Sequence, residues 1–220
     1  MKTIERTTTV AVIDADIIDV AKQYIDQHPL VLNPADDNFP GGCVDLGSGA
    51  AEESIFRRTN YHRSLTLAYY PIKPTEAVYS PNITVFKESE NDGFKECTPY
   101  ELCFIACPGI KYPSLTVNGC LNEEDIETLE KKIELIFQVA HTHGHSVLIL
   151  TAFGCGAWRC PPHDVADAFA RLITKHNGVF KEIVFAIKRN SEKEYIVKPD
   201  ASRPDNYVVF KSILVSDHTI

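Results

Sequence analysis

The sequence predicts an α/β protein, a three-layer α/β/α sandwich whose mixed, largely parallel sheet is covered by helices on both faces. Two observations predict it. Short β-branched or apolar runs alternate along the chain with longer stretches of helical periodicity. Several of those runs, such as Leu30 to Leu32 and Val147 to Leu150, are continuously apolar, as strands buried on both faces require.

Taken in order, Thr8 to Ile13 is β-branched and alternating and reads as a strand. Asp14 is positioned to cap a helix carrying Ile17, Ile18, Ala21, Tyr24 and Ile25, which ends before Pro29. Leu30 to Leu32 is a short buried strand, and 33–49 is loop, rich in Asp, Pro and Gly. A helix starts at Glu52. Ile83 to Lys87 and Leu102 to Cys107 are strand-like. Asn122 caps a long helix through His141, with Ile126, Leu129, Ile133, Ile136 and Ala140 on one face. Ser146 to Phe153 is a buried strand, 154–161 a tight loop, and Pro162 to His176 an amphipathic helix. Glu182 to Ile187 is a further buried strand, 188–206 a polar loop, and Tyr207 to Val215 closes the chain.

At 220 residues the chain matches the upper end of one domain, and the expectation is a single domain over 1–220. A composition of 44% hydrophobic and 24% charged residues excludes disordered and fibrous classes. The apolar runs fall far short of the roughly 20 residues of a membrane span, so no membrane association is expected. The opening residues offer no apolar stretch for export, and the seven cysteines sit mostly in apolar segments, as reduced thiols do. A cytoplasmic protein is expected. The net charge of −8 disfavours non-specific nucleic-acid binding, so any phosphate must be held locally.

Two segments carry possible chemistry. Gly154-Cys155-Gly156-Ala157-Trp158 lies between a buried strand and a helix start, where glycine backbone, free N–H groups and the helix dipole suit a phosphate. A tight turn without a ligand fits the same residues. The second segment, Pro40-Gly41-Gly42-Cys43-Val44, continues through Gly47 and Gly49 to Glu52 and Glu53. Neighbours on a helix point about 100° apart, so these glutamates cannot face each other across one bond and must do different jobs. The alternative is two acidic residues favoured by the helix N-terminus.

Other groups carry less. Cys103/Cys107 and Cys155/Cys160 lack zinc-knuckle spacing, and His141, His143 and His145 suit the end of the long helix, so no metal is expected. Arg57 and Arg58 read as solvated helix charges that pair with nearby carboxylates, and Lys131 and Lys132 as a charged, solvent-facing helix side. Ser48 has no triad pattern around it.

The order Asn33, Pro40-Gly-Gly, Glu52-Glu53, Arg57-Arg58-Thr59, Ser64-Leu65 and the later Gly154-Cys-Gly-Ala-Trp158 resembles the microbial-type poly(ADP-ribose) glycohydrolase family, a catalytic branch of the macro-domain fold. That family shows Gly-Gly-Gly, a short spacer and Gln-Glu-Glu, then a Gly-Cys-Gly loop ending in an aromatic. The resemblance extends from about Val10 through Phe210. It implies a macro-domain-like sandwich that binds ADP-ribose and, without a cofactor, cleaves the ribosyl bond of poly(ADP-ribose) or of an ADP-ribosylated target by glutamate general acid/base catalysis. By motif position it implies Glu53 as the acid and Glu52 as the residue orienting the ribose. Gly41, Gly42, Cys43 and Val44 would approach ribose and diphosphate, and Gly154, Cys155, Gly156, Ala157 and Trp158 would form the second diphosphate loop. Asn33 stands where the family has an Asn. Cys43 replaces the third glycine and Ala51 the Gln, which leaves an ADP-ribose-binding module with little turnover as the alternative.

Overall fold

In the computed structural model, which describes residues 7–189 and 203–215, six strands form one sheet in the order β1-β6-β5-β2-β4-β3. The strands are β1 (Thr9–Ile13), β2 (Leu30–Asn33), β3 (Val78–Lys87), β4 (Glu96–Ala106), β5 (Val147–Leu150) and β6 (Glu182–Ala186). All neighbours are parallel except β3, which runs antiparallel to β4 at one edge. The expected mixed, largely parallel sheet is therefore present.

Alternation along the central strands builds two cores. Leu30, Leu32, Leu148, Leu150, Ile183 and Phe185 face α3 (Glu123–Thr142), α4 (Pro162–Lys175) and α5 (Asn206–Leu214). Val31, Val147, Ile149, Val184 and Ala186 face α1 (Ile17–Gln23) and α2 (Ala51–Arg58). Each fully buried aliphatic or aromatic side chain in these layers contributes about 1.5–3 kcal/mol. The result is the expected α/β/α sandwich.

Several elements differ from the sequence expectation. Asp16 caps α1, its carboxylate accepting from the Ile18 amide at 2.8 Å, whereas Asp14 accepts from the Arg189 amide. The shift leaves the Asp14-Ala15 step free to carry the chain from β1 into the helix. The β3/β4 hairpin is longer than the runs at 83–87 and 102–107, because irregular pairing tolerates Pro81 and Pro99 inside it. β5 is shorter than 146–153, since the chain leaves the sheet at Thr151 to begin a turn. Asn122 caps α3 as expected, accepting from the Asp125 amide at 2.8 Å. Residues 190–202 of the expected polar loop at 188–206 lie outside the described residues.

Two expectations about charge are overturned. Arg58 is fully buried, paired through its guanidinium with Asp16 and Asp19 and bonded to the Lys87 carbonyl at 3.1 Å. It lies three residues after buried Ile55, on the inner stripe of α2. Lys132, likewise one turn from both Leu129 and Ile136, is buried and donates to the Pro74 carbonyl at 2.9 Å. Arg57 donates to the Val44 carbonyl at 3.1 Å and braces the first glycine loop. His145 is buried too, with its ring nitrogens at the His28 carbonyl (2.8 Å) and the Tyr79 hydroxyl (3.0 Å). No helix among the described residues is long and apolar enough to cross a membrane.

Candidate active site

The C-terminal ends of the parallel strands, at Ile13, Asn33, Ala106, Leu150 and Ala186, lie along one edge of the sheet. Open α/β folds bind ligands at this edge, outside the strand ends. Both glycine loops leave from it.

The first loop follows β2 and turns back through hydrogen bonds from Gly42 to the Phe39 carbonyl and from Val44 to the Gly41 carbonyl, both 3.1 Å. Gly41 and Gly42 have φ of 81° and 55°, values that side chains rarely adopt. A Cβ on Gly41 would stand 2.6 Å from the Phe56 ring, so this backbone is pressed against α2.

Glu52 and Glu53 occupy the first turn of α2 and are both buried. Rather than serving only the dipole of their own helix, they reach back to the loop. Glu52 Oε1 accepts from the Gly41 amide at 3.1 Å and from Asn33 Nδ2 at 3.3 Å, and its Oε2 accepts from the Asp36 amide at 2.6 Å. Burial pushes the Glu52 carboxyl up to about 7, against those three hydrogen bonds and with a further rise from Glu53. Glu53 Oε1 accepts from the Cys43 amide at 3.1 Å.

The two carboxylates meet at Gly42. A Cβ there would stand 2.9 Å from Glu53 Oε1 and 3.1 Å from Glu52 Oε2. The sequence argument that neighbouring glutamates must divide their work agrees with this geometry: Glu52 is clamped by three donors, Glu53 by one. Asn33 is fully buried, with its Oδ1 unpartnered among the described residues. Cys43 takes an ordinary φ of −101° and its side chain is exposed, and Val44 is half-buried beside it.

The second loop follows β5. Hydrogen bonds from Cys155 to the Ala152 carbonyl and from Cys160 to the Gly154 carbonyl, both 3.0 Å, close it tightly. Gly154 has φ 74°, a conformation side chains rarely adopt, and a Cβ there would stand 3.0 Å from Cys160 Sγ, so any side chain would be strained and would have to push Cys160 aside. Gly154 and Cys155 are buried. Burial drives the Cys155 thiol well above its ordinary range, so this thiol is wall rather than reagent. Gly156 and Ala157 are exposed and Trp158 is half-exposed, its ring packed on Gly109.

Lys111, which the sequence reading did not single out, joins the two loops. Its ammonium donates to Asp36 Oδ2 at 2.7 Å and to Asp37 on the first loop, and lies 5.2 Å from the Trp158 ring centroid on the second. Burial disfavours charge on Asp36, but Lys111 and the amides of Asn38 and Phe39 outweigh it and hold the carboxyl below its usual range. The signal available in sequence was its place just after a buried strand, in Pro108-Gly109-Ile110-Lys111. A cavity of about 560 Å³ lies instead between α3 and α4 among Glu127, Glu130 and Arg171 and touches none of these groups.

Sheet order, layers and loops together define a macro-domain-like α/β sandwich. The family model of the microbial-type PARG catalytic domain matches residues 1–88, the segment holding Asn33, the first glycine loop and both glutamates. The resemblance is thereby borne out over the segment of the first loop, and the second loop at 154–158 lies beyond the matched residues. Among solved structures, poly(ADP-ribose) glycohydrolase from Deinococcus radiodurans in complex with ADP-ribose is 24% identical, with 97% of this chain and 86% of that one covered at a TM-score of 0.78. The enzyme from Thermomonospora curvata bound to the inhibitor ADP-HPD is 24% identical, with coverage of 93% and 78% and a TM-score of 0.73. No curated protein matches.

Proposed function

We propose that this chain, as a single domain over 1–220, binds ADP-ribose at the C-terminal edge of its sheet and hydrolyses the ribosyl bond, with Glu53 as the general acid. The observation that carries this reading is the division of labour at Gly42. Two buried carboxylates approach one glycine, one saturated by donors and the other held by a single amide. The matched family model and the ADP-ribose and inhibitor complexes of the bacterial glycohydrolases support the same substrate class.

In this mechanism the anomeric carbon passes through an oxocarbenium-like centre as its bond to the departing oxygen breaks. Glu53 gives that oxygen its proton and then, as a carboxylate, takes one from the incoming water. Glu52 fixes the loop backbone at Gly41 and Asp36 and orients the ribose. The amides of 41–44 and 154–158 hold ribose and diphosphate by local donors, which an overall acidic chain requires.

A second reading, a binding module with little turnover, is favoured by one observation: the exposed Cys43 side chain where the family has glycine. Incubating the protein with poly(ADP-ribose), ADP-ribosylated protein and ADP-ribosylated nucleic acid, and following released ADP-ribose, separates the two. Release from any of them supports hydrolysis and identifies the leaving group; tight ADP-ribose binding with no release from all three supports the module. A cytoplasmic setting is part of this proposal, supported by free cysteines at every described position, three of them buried.

A further inference from the structure

The segment 107–121, which leads from β4 to α3, clasps both glycine loops although it belongs to neither. Its first residue is tied to the end of β2, the Cys107 amide donating to the Asn33 carbonyl at 3.1 Å. Gly109 presses on the second loop, where a Cβ would stand 3.1 Å from the Trp158 ring and 3.2 Å from Gly154 Cα. The Ile110 carbonyl accepts from Cys160 Sγ at 3.2 Å, and the Tyr112 amide donates to the Trp158 carbonyl at 2.9 Å. Between these two fixed points stands Lys111. Tyr112 and Arg159, the residues that follow Lys111 and Trp158, have φ of 48° and 64°. Such backbone persists in non-glycine residues only where the surroundings enforce it.

From there Lys111 reaches the first loop, where Asp36 is a junction. Asp36 Oδ2 accepts from the Lys111 ammonium at 2.7 Å, with Asp37 accepting beside it, while Oδ1 accepts from the Asn38 and Phe39 amides at 2.7 and 3.0 Å. The Asp36 amide donates to Glu52 Oε2 at 2.6 Å. The turn fixed in this way carries the Phe39 carbonyl, which accepts from the Gly42 amide at 3.1 Å, and Gly42 is where both glutamates meet. Two short routes therefore run from the Lys111 ammonium to the carboxylates, one through the Asp36 amide and one through the turn from Phe39 to Gly42. The ion pair is part-buried, so salt and water screen it less than a surface pair.

We infer that Lys111 is a positioning residue for the glutamate pair: fixed by the contacts of its neighbours to the second loop, it anchors Asp36 and so sets where Glu52 and Gly42 stand. A cation kept only to attract a diphosphate would be poorly served by two carboxylates that already neutralise it. An ammonium has three N–H groups, so Lys111 can still meet an anion at the second loop without releasing Asp36. Its effect on turnover rests on the function proposed above; its hold on Glu52 does not.

Two measurements test this. In the first, which needs no turnover, protein labelled with 13C at the glutamate carboxyls is titrated with acid, the Glu52 resonance being assigned by its absence from E52Q. K111M should move the Glu52 midpoint upward, because a carboxylate whose donor is loosened holds its proton more tightly. K131M, which removes the same charge from an exposed pair on α3, should leave the midpoint in place. D36N separates position from charge: losing a negative charge would by itself lower the midpoint, whereas losing the anchor raises it. An unmoved midpoint in K111M, an equal shift in K131M, or a downward shift in D36N overturns the assignment. In the second measurement, release of ADP-ribose is followed on whichever substrate the parent cleaves. The kcat of K111M should fall about tenfold, the loss expected when reacting groups shift by about half an ångström, while KM changes far less. K111M/D36N should be no slower than the slower single variant, since both break one connection. A raised KM at unchanged kcat would make Lys111 a ligand contact, and additive losses would make the two residues independent; either overturns the positioning role. If the parent releases nothing from any substrate, the functional reading fails while the Glu52 titration still decides Lys111.

Discussion

Asn33, the last residue of β2, donates its side-chain amide to Glu52 Oε1 at 3.3 Å and so ties the edge of the sheet to the first turn of α2. The bond belongs to a set of three that holds a buried carboxyl whose proton affinity burial has raised to about 7, from 4.5 in the unfolded chain. Between those values the native state keeps a proton that the unfolded state has lost. Stability contributed by this group is therefore greatest below pH 4.5, falls as pH rises through the window, and is level above 7. The change amounts to on the order of 3 kcal/mol at about 1.36 kcal/mol per unit. Urea denaturation of the wild type and of Glu52→Gln from about pH 4.5 to about pH 7.5 should show a difference in slope over this window. Parallel curves would mean that Glu52 titrates alike in both states.

How much of this was legible in the sequence depends on whether the partner was local. Asn122 and Pro162 announce their helices because caps act within one turn, and the continuous apolar strands announce a parallel sheet. Arg58 and Lys132 were misread as solvated because a charge in a helix reveals nothing of the Asp16, Asp19 or Pro74 that meets it across the fold. Their spacing from Ile55, Leu129 and Ile136 was nonetheless a readable sign that they lie on buried stripes. At the candidate site the glycines and glutamates stood out, whereas Lys111 did not, because its partners Asp36 and Trp158 are brought to it only by the strand order.

Glu53→Gln should lower hydrolysis by roughly 10²–10⁴-fold, the usual worth of a positioned general acid. Its carbonyl oxygen still accepts from the Cys43 amide, so the loop keeps its shape and ADP-ribose affinity should be nearly unchanged. Release assays alongside calorimetry check both parts. Turnover at the parental rate would remove Glu53 from the role of acid.

Gly42→Ala should do comparable damage by a different route. The added methyl at φ 55° would sit 2.9 Å from Glu53 Oε1 and 3.1 Å from Glu52 Oε2, forcing both carboxylates or the loop to move. Displacements on the order of 1 Å at reacting groups cost about 100-fold. Unlike Glu53→Gln, this variant should also lose ADP-ribose affinity. Retention of both affinity and rate would show that the loop relaxes freely.

Arg58→Met should destabilise the fold by about 1.5–3 kcal/mol, because it removes charge-assisted bonds to Asp16 and Asp19, whose carboxylates are partly exposed and can turn to water. Asp16 also caps α1 through the Ile18 amide, so the loss reaches the helix start. The urea midpoint reports it. Arg58→Lys should recover only part of the stability, since a shorter side chain ending in a point charge does not reproduce the planar fork that spans Asp16, Asp19 and the Lys87 carbonyl.

The single tryptophan gives a direct reading of the second loop. Trp158 is half-exposed, rests on Gly109 and has the Lys111 ammonium 5.2 Å from its ring centroid, while Lys111 is held by Asp36 and Asp37. A diphosphate entering between the loops competes with those carboxylates for Lys111 and changes the charge facing the indole, and a ribose beside the ring excludes water from its open face. ADP-ribose should therefore quench or shift the emission with a saturable dependence. Adenosine, which lacks the phosphates, should do far less. Lys111→Met should weaken the response without abolishing it, because the ring would still be covered by the sugar, whereas Trp158→Phe should leave no signal. A flat titration of the wild type, at concentrations where calorimetry records binding, would take Trp158 and the second glycine loop out of the site.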